Sequence, residues 1–124
     1  MTEEELQAAL EEATPERDRY ELFVEECQDQ DVRVRFSAVP GEGWSTPALL
    51  AIAHLSLRAA AGVAAEVTHL NVTWIREAQP ADVLALSRVI RRDGGIVHAE
   101  AWLFSHAVVE PMLHATATLS LPHS

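Results

Sequence analysis

The chain has no lysine. All nine basic residues are arginine, set against nineteen acidic ones, for a formal net charge of −10. That balance excludes a nucleic-acid binder, because phosphate contacts need a basic footprint, and it argues equally against an anionic membrane surface. There is one cysteine, Cys27, so no internal disulfide can form. It reads as a small packing residue in a strand rather than as a nucleophile. No apolar run approaches the roughly 20 residues needed to span a bilayer. The first residues, Met-Thr-Glu-Glu-Glu, are acidic, the reverse of a secretory or mitochondrial presequence, so the expected location is cytoplasmic. No internal repeat, linker or low-complexity stretch divides the chain.

With 124 residues, 48% of them hydrophobic, there is enough material for one domain around one core. Residues 2–13 read as a short amphipathic helix. Thr2 and Glu5 form a capping box, and Leu6, Ala9, Leu10 and Ala13 make its apolar stripe; Thr14-Pro15 stops it, leaving 1–15 as helix and linker. Residues 20–26 and 31–38 read as two strands about a turn at Gln28–Asp31, and Val32, Val34 and Phe36 alternate with Arg33 and Arg35. Pro40-Gly-Glu-Gly43 breaks the chain. A long helix then runs from about Ser45 to Gly62, capped by Ser45 or Thr46, with Pro47 in its first turn. Its first half is apolar on nearly every side, so it must be covered on nearly every side. Four alternating segments follow, at 66–76, 81–92, 95–106 and 111–121. Their turns lie at Gln79-Pro80, Asp93-Gly94-Gly95 and Glu110-Pro111. In the last segment Leu113, Ala115, Ala117, Leu119 and Leu121 face one way, and Met112, His114, Thr116, Thr118 and Ser120 the other. The expectation is an α+β domain in which a mostly antiparallel sheet curls around one central helix.

Three segments carry a family resemblance: Gly43-Trp-Ser-Thr-Pro-Ala-Leu-Leu-Ala-Ile-Ala-His54, Leu70–Leu84 with its Arg-Glu-Ala-Gln-Pro-Ala-Asp run, and Arg91-Arg-Asp-Gly-Gly-Ile-Val-His-Ala-Glu-Ala101. In order and spacing, over about residues 20–121, the chain resembles the hotdog-fold acyl-CoA thioesterase superfamily, in particular its phenylacetyl-CoA and 4-hydroxybenzoyl-CoA thioesterase-like branch. The resemblance implies a central helix whose N-terminal N–H groups polarise a thioester carbonyl. It also implies an acidic base about nine residues further on. It implies no cofactor beyond the coenzyme A of the substrate and no metal. A homodimer or dimer of dimers is expected, paired through the strand at 66–76, with the site at the subunit interface.

The usual motif is altered here. Ser45-Thr46-Pro47 stands in place of His-Gly-Gly, and Pro47 removes one N–H. On the ungapped alignment His54 stands where the acid would be; matching Gly43 instead shifts the frame and puts Leu55 there. Ile52-Ala53-His54 mirrors the family's Leu-Ala-Asp run, so His54 is the candidate general base. Its other reading is a buried histidine bonded to a neighbour. Arg58, one turn on, would disfavour the imidazolium. Ser45 and Thr46 are candidates for contact with the substrate carbonyl, or simply the helix cap. Ser56 lies on another face of the helix, so no Ser–His pair is expected. Arg91 and Arg92, then Arg76, are candidate contacts for the phosphates of coenzyme A, and Trp44 is a further candidate substrate-binding residue. His69, Asn71 and Thr73 share one strand face, and His98, Glu100 and Trp102 share another, with His114 on a third. No spacing among them demands a metal, and a solvated sheet face is expected. The implied activity is hydrolysis of a small or medium acyl-CoA. The alternative is a hotdog protein that binds an acyl group without turning it over; a hydratase of the same fold would need an Asp…Asn-Pro…His stretch that is absent.

Overall fold

The computed structural model describes residues 2–13, 21–28, 31–37, 44–77, 81–105 and 110–122. Its elements in chain order are α1 (Glu3–Ala13), β1 (Glu21–Gln28), β2 (Asp31–Ser37), α2 (Thr46–Ala61), β3 (Glu66–Trp74), β4 (Val83–Asp93), β5 (Ile96–Ser105) and β6 (Pro111–Ser120). The expected breaks at Thr14-Pro15, Pro40–Gly43 and Gln79-Pro80 lie outside the described residues, as do the central two residues of the β1–β2 turn. The strands form one six-stranded sheet in the order β1-β2-β4-β5-β6-β3, and every pairing is antiparallel.

Alternation decides which face is buried. Val34, Ala85, Ala101 and Ala115 point inward from four strands, and all four are fully buried. Small residues in the middle of the sheet let α2 come close, and the helix answers with Ile52, Ala53 and Leu57, also fully buried. Truncating Leu57 to alanine would cost on the order of 2–5 kcal/mol by cavity formation. The β4–β5 hairpin turns on Gly94 and Gly95, and Gly94 has φ +64, which a two-residue hairpin turn favours in glycine.

Both helices start as their sequences dictate. Glu5 N–H donates to Thr2 Oγ1 at 3.1 Å and Thr2 N–H to Glu5 Oε1 at 3.4 Å, which completes the capping box. Leu6 and Leu10 carry α1 into the core. Gln7 then clamps the helix to β1, donating to the Leu22 carbonyl and accepting from Val24 N–H, each at 2.7 Å. Ser45 is the N-cap of α2.

Two expectations need correcting. Met112, expected on the outer face with His114, is buried. The β5–β6 ladder slips there, pairing Leu103 with Leu113 and Phe104 with Pro111, so Met112 has no partner across and is enclosed in a bulge. Its carbonyl accepts the N–H groups of Ile75 and Arg76, whose backbone folds over it. The second concerns α2, which the sheet does not cover all round. Pro47, Leu50, Ala51, His54 and Arg58 are the half-buried or exposed positions along one side, at helical spacing, and they make an open stripe.

Candidate active site on the open face of α2

The open stripe is where the candidate chemistry lies. His54 is half-buried at its centre, flanked by the apolar Leu50 and Ala51. Desolvation, and after it the nearby charge of Arg58, holds the imidazole pKa below its ordinary 6.5. The neutral ring, the form that can accept a proton from water, is therefore the resident form at neutral pH. The sequence anticipated the effect of Arg58 but not the larger effect of burial. Ser56, by contrast, points into the core and is 1% exposed, so no Ser–His pair forms along the helix.

The start of α2 offers less than its dipole suggests. Ser45 Oγ accepts the Ala48 N–H at 3.2 Å, and the Ser45 carbonyl accepts the Leu49 N–H at 3.0 Å. Pro47 has none to give. Of the first four residues, only Thr46 keeps a backbone N–H without a partner among the described residues, with its exposed hydroxyl beside it. Ser45 is thus occupied as the cap, and Thr46 is the group left to meet a carbonyl oxygen. Nine residues of helix separate the Ser45 cap from His54, about 13 Å at 1.5 Å per residue.

Trp44 is tied down rather than free. Its Nε1 donates to the Ala81 carbonyl at 2.7 Å, fastening the approach to α2 onto the β3–β4 connection, and its ring packs against the core. The arginines divide between the two ends of the sheet. Arg76 follows β3 at the end where α2 starts and is ion-paired with Glu110. Arg91 and Arg92 lie at the other end. Arg91 is 3.5 Å from Asp93, and Arg92 reaches the Ala61 carbonyl in the last turn of α2 at 3.4 Å. Strand parity was the available signal, because β3 and β4 run in opposite directions and must finish at opposite ends. Arg58 joins Arg92 in closing the C-terminus of α2 by donating to the Val63 carbonyl.

The outer face of the sheet is less solvated than the sequence suggested. Glu100, 14% exposed, lies 2.7 Å from Arg88 Nε and 3.5 Å from His114 Nε2. Burial pushes its carboxyl pKa up, but the hydrogen bonds and charges of Arg88 and His114 outweigh that and leave it below its ordinary value. Trp102 stacks on His114 with ring centroids 3.8 Å apart, and His98 Nδ1 is 3.4 Å from Thr118 Oγ1. Among the described residues no group of three or more His, Cys, Asp or Glu side chains is placed to hold a metal ion. Nor is any helix among them long and apolar enough to cross a membrane.

Solved structures share this architecture over nearly the whole chain. A candidate thioesterase of Silicibacter sp. TM1040 superposes with a TM-score of 0.80 at 22% identity, covering 99% of this chain and 93% of that one. The chain has the hotdog fold. Zebrafish thioesterase superfamily member 2 matches with a TM-score of 0.77 at 14% identity, over 98% of this chain and 99% of its own. A hypothetical thioesterase protein of Streptococcus pneumoniae TIGR4, solved with coenzyme A, matches with a TM-score of 0.73 at 8% identity, over 83% and 87%. No protein-family model matches the sequence, and no curated protein matches it. At these identities the likeness establishes the fold.

Proposed function

We propose that this hotdog protein hydrolyses a small or medium acyl-CoA thioester, with His54 as the general base. The observation that carries the reading is the neutral, half-buried imidazole on the one face of α2 that the sheet leaves open. The solved thioesterases of the same fold, one of them with coenzyme A, support the substrate class.

The separation along α2 shapes the mechanism. Thr46 and His54 of the same chain are about 12 Å apart along the helix at 1.5 Å per residue, too far for one to activate water against a carbon held by the other. Two copies related by a two-fold axis would solve this, with the Thr46 end of one helix meeting His54 of the other. Among the described residues the edge strand β3 has only one neighbour in the sheet, and Trp74 at its end and Ile75 just beyond are 47% and 46% exposed, so a homodimer through β3 would cover both edge and side chains. In such a site the Thr46 N–H and hydroxyl receive the developing oxyanion. His54 takes a proton from water as the water adds to the carbonyl, and the coenzyme A thiolate leaves with that proton. Leu50 and Ala51 supply apolar surface for the acyl group. Arg91 and Arg92 of one subunit and Arg76 of the other, which an antiparallel pairing through β3 would bring to the same end, are the proposed contacts for the coenzyme A phosphates, with Trp44 holding the helix start in place.

A second reading rests on the same helix start. Because the Ser45 cap and Pro47 leave one backbone N–H, carbonyl activation is weak, and the protein would hold an acyl-CoA without turning it over. A panel of acyl-CoAs from acetyl to palmitoyl, with phenylacetyl and benzoyl, run on wild type and His54→Ala separates the two. Turnover that falls by about 10²-fold or more in the variant supports the thioesterase. Turnover that survives discards His54 as base. Binding without turnover on any substrate establishes the second reading.

A further inference from the structure

On the opposite side of the sheet from α2 there is a depression of about 360 Å3 over β1, β2, β4 and β5. That volume lies within the range of small-molecule sites. The register of the strands builds it. Glu26, Arg33, Leu86 and Trp102 stand side by side in one row of successive strands, and Asp31, Arg88 and Glu100 form the next row. Leu86 and Trp102 give a flat apolar wall, and the far side of the indole is held by the stack on His114.

The arginines of this face are not equivalent. Arg88 is satisfied by Glu100 at 2.7 Å. Arg35 is engaged by Glu25, the residue the β1 bulge leaves unpaired, at 3.7 Å, and lies over the Phe23 ring. Arg33 has neither an ion pair nor a hydrogen bond among the described residues, although Glu26 stands opposite it in register. Its Nε is enclosed without a hydrogen-bond acceptor, as is that of Arg35, but only Arg35 of the two has a carboxylate within 4 Å among the described residues. A half-buried guanidinium with no acceptor of its own gains from a carboxylate that reaches its outer nitrogens.

We propose that this depression binds a small monocarboxylate with a planar apolar body, the carboxylate on Arg33 and the ring against Leu86 and Trp102. The carboxylates of Glu26, Asp31 and Glu100 line the same space with Arg33 and Arg88, and their repulsion grows with the charge of the ligand, so a single carboxylate directed at Arg33 is favoured over a polyanion such as a coenzyme A phosphate group. The site is distinct from the open face of α2 and does not depend on thioester hydrolysis.

Calorimetry with 1-naphthoate and its neutral amide, 1-naphthamide, tests this at low salt. Naphthoate is expected to bind, and the amide to bind at least about tenfold more weakly, because the charge-assisted contact is lost. Arg33→Gln should weaken naphthoate by a similar factor, with partial recovery in Arg33→Lys. Trp102→Leu, which removes the ring contact, provides an independent variant if Arg33→Gln does not fold. Thioester hydrolysis in all of them should match wild type. Equal binding of the amide, or binding that survives both Arg33→Gln and Trp102→Leu, overturns the proposal. So does naphthoate binding that is lost in His54→Ala instead, which places the ligand on α2. No heat at millimolar naphthoate, or a second copy of the chain found seated on this face by sedimentation and footprinting, overturns it as well.

Discussion

Arg58 stands one helical turn beyond His54 on the open face of α2, with its terminal nitrogen turned down onto the Val63 carbonyl. One side chain thus closes the helix and sets the charge beside the candidate base. Burial, then this charge, keeps the imidazole pKa below 6.5, so the acid limb of kcat/KM should fall below pH 6.5. Arg58→Met keeps most of the stem and removes the charge. Its acid limb should move up toward pH 6.5 while the rate on the alkaline plateau persists. A limb that stays in place would assign the titration to another group.

The same depressed pKa links to stability. On acidification the unfolded chain protonates His54 near pH 6.5, before the folded chain does, so folding is disfavoured progressively as pH falls through 6.5 toward the lowered value. His54→Gln, which cannot charge, should show a shallower loss of Tm between pH 7 and pH 5 than wild type.

A composite site predicts complementation. Thr46→Pro removes both the N–H and the hydroxyl, at a position where proline suits a helix start. Alone, it and His54→Ala should each be nearly inactive. Refolded together, mixed dimers contain one site built from the intact Thr46 of one chain and the intact His54 of the other. Activity should return toward about half of wild type per mixed dimer, as each holds one of two sites. A mixture as inactive as its parents would place both groups in one chain's site.

Ser45→Ala should destabilise the protein by about 1 kcal/mol, within a range of roughly 0.5–2, since the Ala48 N–H loses its acceptor. Ser45→Asp should recover most of that in a thermal melt, because an aspartate caps equally well and favours the helix dipole.

Glu100 gives a prediction of opposite sign in pH. Its folded pKa lies below the ordinary 4.5, so its stabilisation is complete above that value and is lost as pH falls through the lowered one. Glu100→Gln should therefore be less stable than wild type at pH 7, and the gap should close as pH falls through the lowered pKa. The difference should stay under about 1 kcal/mol, because Arg88 is largely in water. A gap independent of pH would point to shape rather than charge.

What was legible in the sequence was local. The Thr2–Glu5 box and the alternation of Leu113, Ala115, Ala117 and Leu119 depend on residues two or three apart and are found as read, and of the two caps offered, Ser45 and Thr46, Ser45 is the one used. The curled sheet around α2 followed from a helix apolar on most sides and the alternating segments after it. Register and strand order were not legible, and they control the rest. Only the β5–β6 ladder brings His114 onto Trp102 and Glu100, and only the β5–β6 slip buries Met112. Arg33 and Arg35 look alike in an alternating strand. The β1 bulge brings Glu25 within 3.7 Å of Arg35, whereas Arg33 makes no ion pair among the described residues.

The strand order also bears on how the chain reaches its fold. β3 leaves α2 directly, yet the strand it pairs with is β6, which comes after two further strands have been made. During synthesis the hairpins β1–β2 and β4–β5 can form as they emerge, while β3 must wait for the far end of the sheet. Contacts between segments so distant in sequence are slow to close, and an unpaired strand with Trp74 and Ile75 at its end is prone to aggregate in the interval. The edge proposed to join two finished subunits is therefore also the last part of each subunit to be secured, and folding and assembly would compete for the same strand.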